Sequence, residues 1–517
     1  TVNSITGLGK IIIDGSQQAR IFNIQSGHSV TLTGITFINA NADGNGGSIN
    51  SDGTLIISNC NFTNNTASGH GGAIYLGSGK GDTVTNCNFE GNVAGGNGGA
   101  IDWYAGSSNG KITGSTFTDN TAKRSGGAVH WSGHYGTIRD SNFTNNNATG
   151  EVTSEIGGIV GGGDGGAVLW VGSNGTIDNC MFIGNVAKNR GGATFLHGNS
   201  TENCTNTTFT HSTFINNTAG LNGGAIDWQK GAHDGKVIYC DFTDNTASST
   251  GGAIYWSGHN GTVLHSNFTS NKALGTINGT GPDGSIILGG NGGAIVWKGA
   301  EGDIIGSTFR LNNASRNGGA IFMQAGSNED CRNITVDGST FIENYAGVNG
   351  GALDWYEGAH DADLYNSVFI NNTAERSGGA VYWFGHDGTI VNSTFESNTA
   401  KGNVNATDSY GRVTPGGHGG AIMWTGADGK VLNSTFISNN ASRNGGAIFM
   451  QGSTDGDCSN ILVDGSEFVE NYAGINGGAL DWYEGAHDST LSNSVFINNT
   501  AERSGGAVYW FGHDGTI

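Results

Sequence analysis

The stretch SVFINNTAERSGGAVYWFGHDGTI, Ser367–Ile390, decides the fold, because the same 24 letters return unchanged at Ser494–Ile517. It holds two signatures, Phe-x-x-Asn-x-Ala from Phe369 and Gly-Gly-Ala ending at Ala380. Working outward, Gly-Gly-Ala (once Gly-Gly-Ser) ends at sixteen positions from Ser48 to Ala507, and the Phe signature starts at fifteen from Phe62 to Phe496, with Phe37 a degenerate sixteenth. The two alternate throughout. From Phe to the following alanine is 11 residues in thirteen coils and 24, 26 and 26 in the others, so insertions of 13, 15 and 15 residues occupy one fixed slot. Ala225, Ala352 and Ala479 are 127 residues apart, as are Ala253, Ala380 and Ala507, so four coils make a super-repeat.

Each coil is rich in β-branched and aromatic residues in short runs punctuated by Gly and Asn, which reads as three short strands. These are Gly-Gly-Ala-Ile-x-Trp, the Thr-Ile or Lys-Val pair, and Ser-x-Phe, as at Ser393-Thr394-Phe395. A strand alternates its faces with period two, so Ile shares a face with Trp and Ser with Phe. Only a chain wound so that equivalent strands stack buries each motif in every copy. The spacing therefore predicts a parallel β-helix, a solenoid of about 16 coils stacked at about 4.8 Å. Its core is ladders of identical side chains, with the Asn of the Phe signature bonded to the coils above and below. Residues 1–517 read as one continuous helix, with divergent coils in 1–48 and regular coils in 49–517 that stop in mid-repeat.

Composition sets limits on function. The chain has 22 Lys+Arg against 43 Asp+Glu, a formal charge of −21, which argues against a nucleic-acid or anionic-membrane partner. Gly is 94 of 517 and Pro only 2, unlike an ordinary α/β enzyme. No apolar run approaches the roughly 18 residues of a membrane span, and Thr1 opens without a basic-then-apolar leader.

The residue before Trp should point outward, and it cycles through the super-repeat. Candidate contact residues are Asp227, Tyr255, Val296, Phe322, Asp354, Tyr382, Met423, Phe449, Asp481 and Tyr509. Such a stripe is either a ligand-binding surface or a face covered by loops or a neighbouring chain. The insertions near Gly150 to Gly163, Leu274 to Gly290 and Lys401 to Gly417 leave one corner every fourth coil, as recognition loops or as passive elaborations. Asn64, Asn216, Asn371, Asn392 and Asn498 stand in Asn-x-Ser/Thr triplets that permit glycosylation outside the cell.

Catalysis and metal binding find little footing in the letters. His360, Asp361 and His386 could approach as metal ligands, but the same histidines recur at 127 residues and read as turn residues bonded to backbone. Gly417-His418-Gly419 superficially resembles the Gly-His-Gly of pectin-degrading β-helix hydrolases, without the paired aspartates that glycoside cleavage needs. The expectation is a protein that is no enzyme and needs no metal or cofactor. Cys60, Cys87, Cys180 and Cys240 replace the serine two before Phe and read as inward packers. Cys204, Cys331 and Cys458, one per super-repeat, read as free thiols unless paired between chains.

The Gly-Gly-Ala-Ile and Phe-x-x-Asn signatures resemble the repeats of chlamydial polymorphic outer-membrane proteins. The opening, Ile5 to Gly15 and Val30 to Phe37, is similar to adhesin-like surface proteins of methanogenic archaea. The resemblance implies an all-β, right-handed, single-stranded parallel β-helix, extracellular and at the cell surface. It implies an adhesin-like or stalk protein touching a cell-surface or glycan ligand. Copies of itself in a homopolymer, as a filament or surface-layer subunit, are the alternative partner, and a polysaccharide lyase or glycoside hydrolase is a third reading.

Overall fold

The structure, a computed structural model, describes all residues except 1, 4–10, 105, 151–161, 199–203, 230, 277–278, 281–285, 326–330, 357, 408–412, 453–457 and 484. They fall into two compact units, Thr1–Ser248 with Ala253–Gly258, and Ser249–Gly252 with His259–Ile517. Each is a right-handed parallel β-solenoid, with about 16 coils in the two together and no helix among the described residues.

In the first unit the coils repeat four parallel pairings in register, so that like lies on like. Phe89 pairs with Phe117, Trp103 with Trp131, and Ile112 with Ile138. These are the three expected strands, each of three residues or so. A fourth, two-residue strand runs beside them at the Thr-Ala of the Phe signature, where Ala94 pairs with Ala122. The divergent N-terminal residues enter the same ladders, with Ile13 opposite Phe37. The second unit repeats the arrangement: Phe341 opposite Phe369, Trp355 opposite Trp383, and Ala346 opposite Ala374.

Stacking follows from register. In both units consecutive Phe rings lie nearly parallel with centroids 4.7 to 4.9 Å apart, the spacing that hydrogen-bonded strands impose. The tryptophans form a second inward ladder, interrupted every fourth coil by Leu76, Leu196, Met323 or Met450, all buried. The Trp rows are therefore core and not exposed platforms.

The turn between the Phe strand and the Trp strand is held by asparagine. In the second unit Asn344 Nδ2 donates to Asn372 Oδ1 at 3.0 Å, and the Asn344 backbone N–H donates to the same oxygen at 3.0 Å. Asn372 Nδ2 donates in turn to Asn398 Oδ1 and to the Phe341 carbonyl, each at 3.0 Å. Each Asn of this column is thus satisfied by its neighbours, as the first unit repeats from Asn65 to Asn245. The Gly pair completes the corner. Gly350 has φ 62°, and a Cβ on Gly351 would collide with the Gly379 carbonyl of the next coil.

All seven cysteines are buried and none is in a disulfide, so the packing expected of Cys60, Cys87, Cys180 and Cys240 holds. Cys204, Cys331 and Cys458 direct Sγ at the carbonyls of Trp170, Trp297 and Trp424, out of reach of another chain.

Two substitutions test the ladder. Phe369→Ala should cost about 3–5 kcal/mol through the cavity it leaves. Asn372→Leu adds apolar volume yet orphans two buried donors on Asn344, at about 1–3 kcal/mol each. Denaturant titration followed by tryptophan fluorescence should show both losses. A Leu variant within about 0.5 kcal/mol of the parent would remove the ladder from the account.

Candidate functional site

Period-two alternation leaves one row of side chains on the outer side of the Trp sheet, and here the coils differ from one another. In the first unit the row runs through Asp102, His130, Leu169, Phe195, Asp227 and Tyr255, and in the second through Val296, Phe322, Asp354, Tyr382, Met423, Phe449, Asp481 and Tyr509. The row has the register that the sequence predicts, but most of it is not a surface. Asp227, Asp354 and Asp481 are fully buried, Val296, Phe322, Met423 and Phe449 are buried, and only Tyr255, Tyr382 and Tyr509 are half-exposed.

The cover comes from the corner that precedes Gly-Gly-Ala. Arg190 stands 4.7 Å over the Phe195 ring while its guanidinium pairs with Asp164 at 2.9 and 3.1 Å. His418 stacks on Phe449 at 4.5 Å, and Arg376 Nη2 donates to Thr414 Oγ1 at 3.3 Å. A long arginine reaches across a strand that a periodicity argument treats as bare. The insertions leave this same corner. Two of them begin as short antiparallel hairpins, Gly279–Thr280 with Ile286–Ile287 and Ala406–Thr407 with Val413–Thr414. Their middles, with that of the Gly150 to Gly163 insertion, lie outside the described residues.

Burial sets the charge of the row. It pushes the Asp227 carboxyl up to about 8, against the pull of Arg190 and of Gln229, whose Nε2 donates to Oδ1 at 2.6 Å. It pushes Asp481 up to about 7 and Asp354 well above the usual range, the latter with neither oxygen hydrogen-bonded. Asp102 differs: burial raises it, but His130 and His70 outweigh burial and hold it below the usual range. Its Oδ2 lies 2.9 Å from His130 Nδ1, and His130 Nε2 lies 3.1 Å from Ser132 Oγ. The sequence reading passed over this group, because His130 looked like one member of a row otherwise filled by tyrosine. A single Tyr-to-His change with Ser two residues on was the available signal.

The repeated histidines His360 and His386 are turn residues. His360 Nδ1 accepts the His386 N–H at 3.2 Å and His386 Nδ1 the Ala427 N–H at 3.1 Å, with the two rings stacked at 5.3 Å. Among the described residues no group of three metal-ligating side chains forms. Asn64, Asn216, Asn371, Asn392 and Asn498 are all exposed at corners with positive φ.

A further aromatic row starts from a phenylalanine of the stripe and continues just outside it, on the residues that follow Trp. Phe322, Tyr356 and Phe384 follow one another at 5.7 and 6.0 Å, and Phe449, Tyr483 and Phe511 repeat the row at 5.8 and 5.9 Å. Tyr356, Phe384 and Tyr483 are half-exposed and Phe511 is exposed.

Seven stretches match the Chlamydia polymorphic membrane protein repeat. They are residues 59–77, 114–130, 211–227, 239–255, 366–382, 433–451 and 493–509, each spanning a Phe signature and the Gly-Gly-Ala that follows. No curated protein matches the chain. Among solved structures, the tailspike protein of E. coli bacteriophage HK620 in complex with pentasaccharide is similar at 14% identity, over 87% of this chain and 72% of that one, with TM-score 0.31. An alginate lyase in complex with trisaccharide is similar at 12% identity, over 96% and 86%, TM-score 0.32. The A-module of an Azotobacter vinelandii mannuronan C-5 epimerase is similar at 11%, over 95% and 89%, TM-score 0.30. At such identities the likeness carries nothing about activity.

The buried carboxyls predict a pH dependence with a definite sign. Unfolded, Asp227 titrates near 3.8, and folded near 8, so between these values the native state holds a proton the unfolded chain has lost. Stability therefore falls as pH rises from about 4 to about 8. Asp227→Asn keeps the shape and removes the titration, and should melt higher than the parent at pH 8 and flatten the profile. Parallel pH profiles for the two proteins would contradict the assignment.

Proposed function

We propose that the chain is the β-solenoid part of an extracellular, cell-surface attachment protein, adhesin-like or stalk-like, whose partner is a surface glycan. The seven repeat matches carry the reading, since they name a membrane-protein repeat and recur from residue 59 to residue 509. The similarity of the opening residues to adhesin-like proteins of methanogenic archaea belongs to the same proposal.

The physical support lies in how the chain spends its variation. Inward rows are constant, as a ladder demands, and the outer row beside Trp is where coils diverge. Rigid aromatic faces backed by a sheet offer large contact area at little entropic cost, and aromatic residues are enriched where surfaces meet partners. Tyr356 and Phe384, with Tyr483 and Phe511, are such faces, backed by the buried Phe322 and Phe449 and flanked by the half-exposed tyrosines of the stripe, Tyr382 and Tyr509. A formal charge of −21 disfavours a polyanionic polysaccharide, so the ligand class is a neutral glycan. The five exposed asparagines are glycosylation positions in this reading, which suits an extracellular chain.

Binding of the intact chain to a panel of immobilised neutral and acidic glycans tests this directly. Saturable binding confined to neutral members, weakened about tenfold or more by Tyr356→Ala with Tyr483→Ala, is the expected result. Binding to none of the panel, or equal binding by the double variant, would overturn the glycan reading.

A further inference from the structure

One coil places on the outer face of the Trp sheet a combination that occurs once in the chain, His130 and Ser132 over Asp102. Asp102 and His130 are direct partners across neighbouring parallel strands, and Ser132, one residue past the end of the His130 strand, turns its hydroxyl back to the His130 ring on the same face. A carboxylate only accepts, so His130 Nδ1 carries the proton shared with Asp102 Oδ2 at 2.9 Å. That tautomer leaves Nε2 bare to accept the Ser132 hydroxyl proton at 3.1 Å. The hydrogen bond from His130 favours the ionised form of Asp102.

The surroundings fix the group in place. The Ser132 backbone N–H donates to the Trp103 carbonyl at 2.8 Å, anchoring the strand. His70 Nδ1 lies 3.3 Å from the same Asp102 oxygen and takes the Asn97 N–H at 3.1 Å, so neutral His70 does not compete as a donor. Asp102 is 1% exposed, whereas His130 and Ser132 are each 8% exposed, so the orienting end is sealed and the hydroxyl end is the less deeply buried of the two. The next coils present an apolar cluster of Leu169, Val171 and Phe195 beside it.

We propose that Asp102, His130 and Ser132 form an acyl-transfer triad that hydrolyses carboxylic esters bearing an apolar acyl group, an activity beyond attachment. Ser132 Oγ adds to the ester carbonyl carbon as its proton passes to His130 Nε2. Collapse of the tetrahedral adduct breaks the bond to the alcohol oxygen, which takes that proton and leaves. Water then adds to the acyl-Ser132 carbonyl and gives a proton to Nε2. The acid departs as Ser132 Oγ recovers that proton, and Asp102 stays ionised throughout while it orients the imidazole.

The repeat supplies an internal control. Ser257 follows Trp256 one super-repeat later, but the residue before that Trp is Tyr255, so the hydroxyl lacks a base. The test is to treat the full chain with a fluorophosphonate probe and, separately, with p-nitrophenyl butyrate. The probe should label Ser132, located by peptide mass spectrometry. Ser132→Ala and His130→Gln should each lower kcat/KM by about 100-fold or more, and Ser257→Ala should leave it unchanged. Absence of label on Ser132 in the parent protein would overturn the proposal. So would undiminished ester hydrolysis by a Ser132→Ala variant with parental circular dichroism.

Discussion

The hydrogen-bonded column of buried asparagines is the interaction on which the rest depends. Each side chain uses its oxygen to take two N–H groups from the coil on one side, and its amide to reach a carbonyl of that coil and the oxygen of the coil beyond. An amide in a dry interior is tolerated only when every polar atom is paired. Here pairing is complete only if the neighbouring coil offers the same side chain at the same place. The column therefore fixes register, and register brings Phe onto Phe and Trp onto Trp at strand spacing. A one-residue slip would orphan the amides and turn every ring outward.

That constraint explains where variation is allowed. Inward positions answer to the coils above and below and stay uniform, apart from the Leu and Met that relieve the Trp ladder every fourth coil. The outer row beside Trp answers only to the corner that covers it, so it carries acid, phenol, aliphatic and aromatic in turn. Where its buried carboxyl meets a tyrosine, as at Asp227, the acid is held neutral near pH 7, and where it meets His130 it is held ionised. One letter in one coil thus changes the chemistry of the face without touching the ladder.

The architecture was legible because solenoid periodicity writes itself into the chain: Phe369, Asn372, Ala380 and Trp383 each have partners at predictable distances, and the structure stacks them as expected. The inward cysteines and the turn histidines were legible for the same reason. The two-residue pairing at Thr373-Ala374 was too short to show as a strand pattern. The cover over Phe195 and Phe449 depends on how far side chains such as Arg190 and His418 reach, which spacing does not encode. The group around His130 depends on adjacency between coils, since Asp102 and His130 are 28 residues apart. A search for chemistry along one strand at a time sees neither.

Hydrogen–deuterium exchange resolved to the Phe-to-Gly-Gly corner peptides tests the asparagine column most directly. The account predicts that amides such as Asn372 and Asn439, whose N–H groups end on a neighbouring side chain, exchange as slowly as those of the flanking Phe strands. Exchange at those amides as fast as in the exposed Gly-His-Asp turns near Asp387 would mean that the column does not hold the coils together.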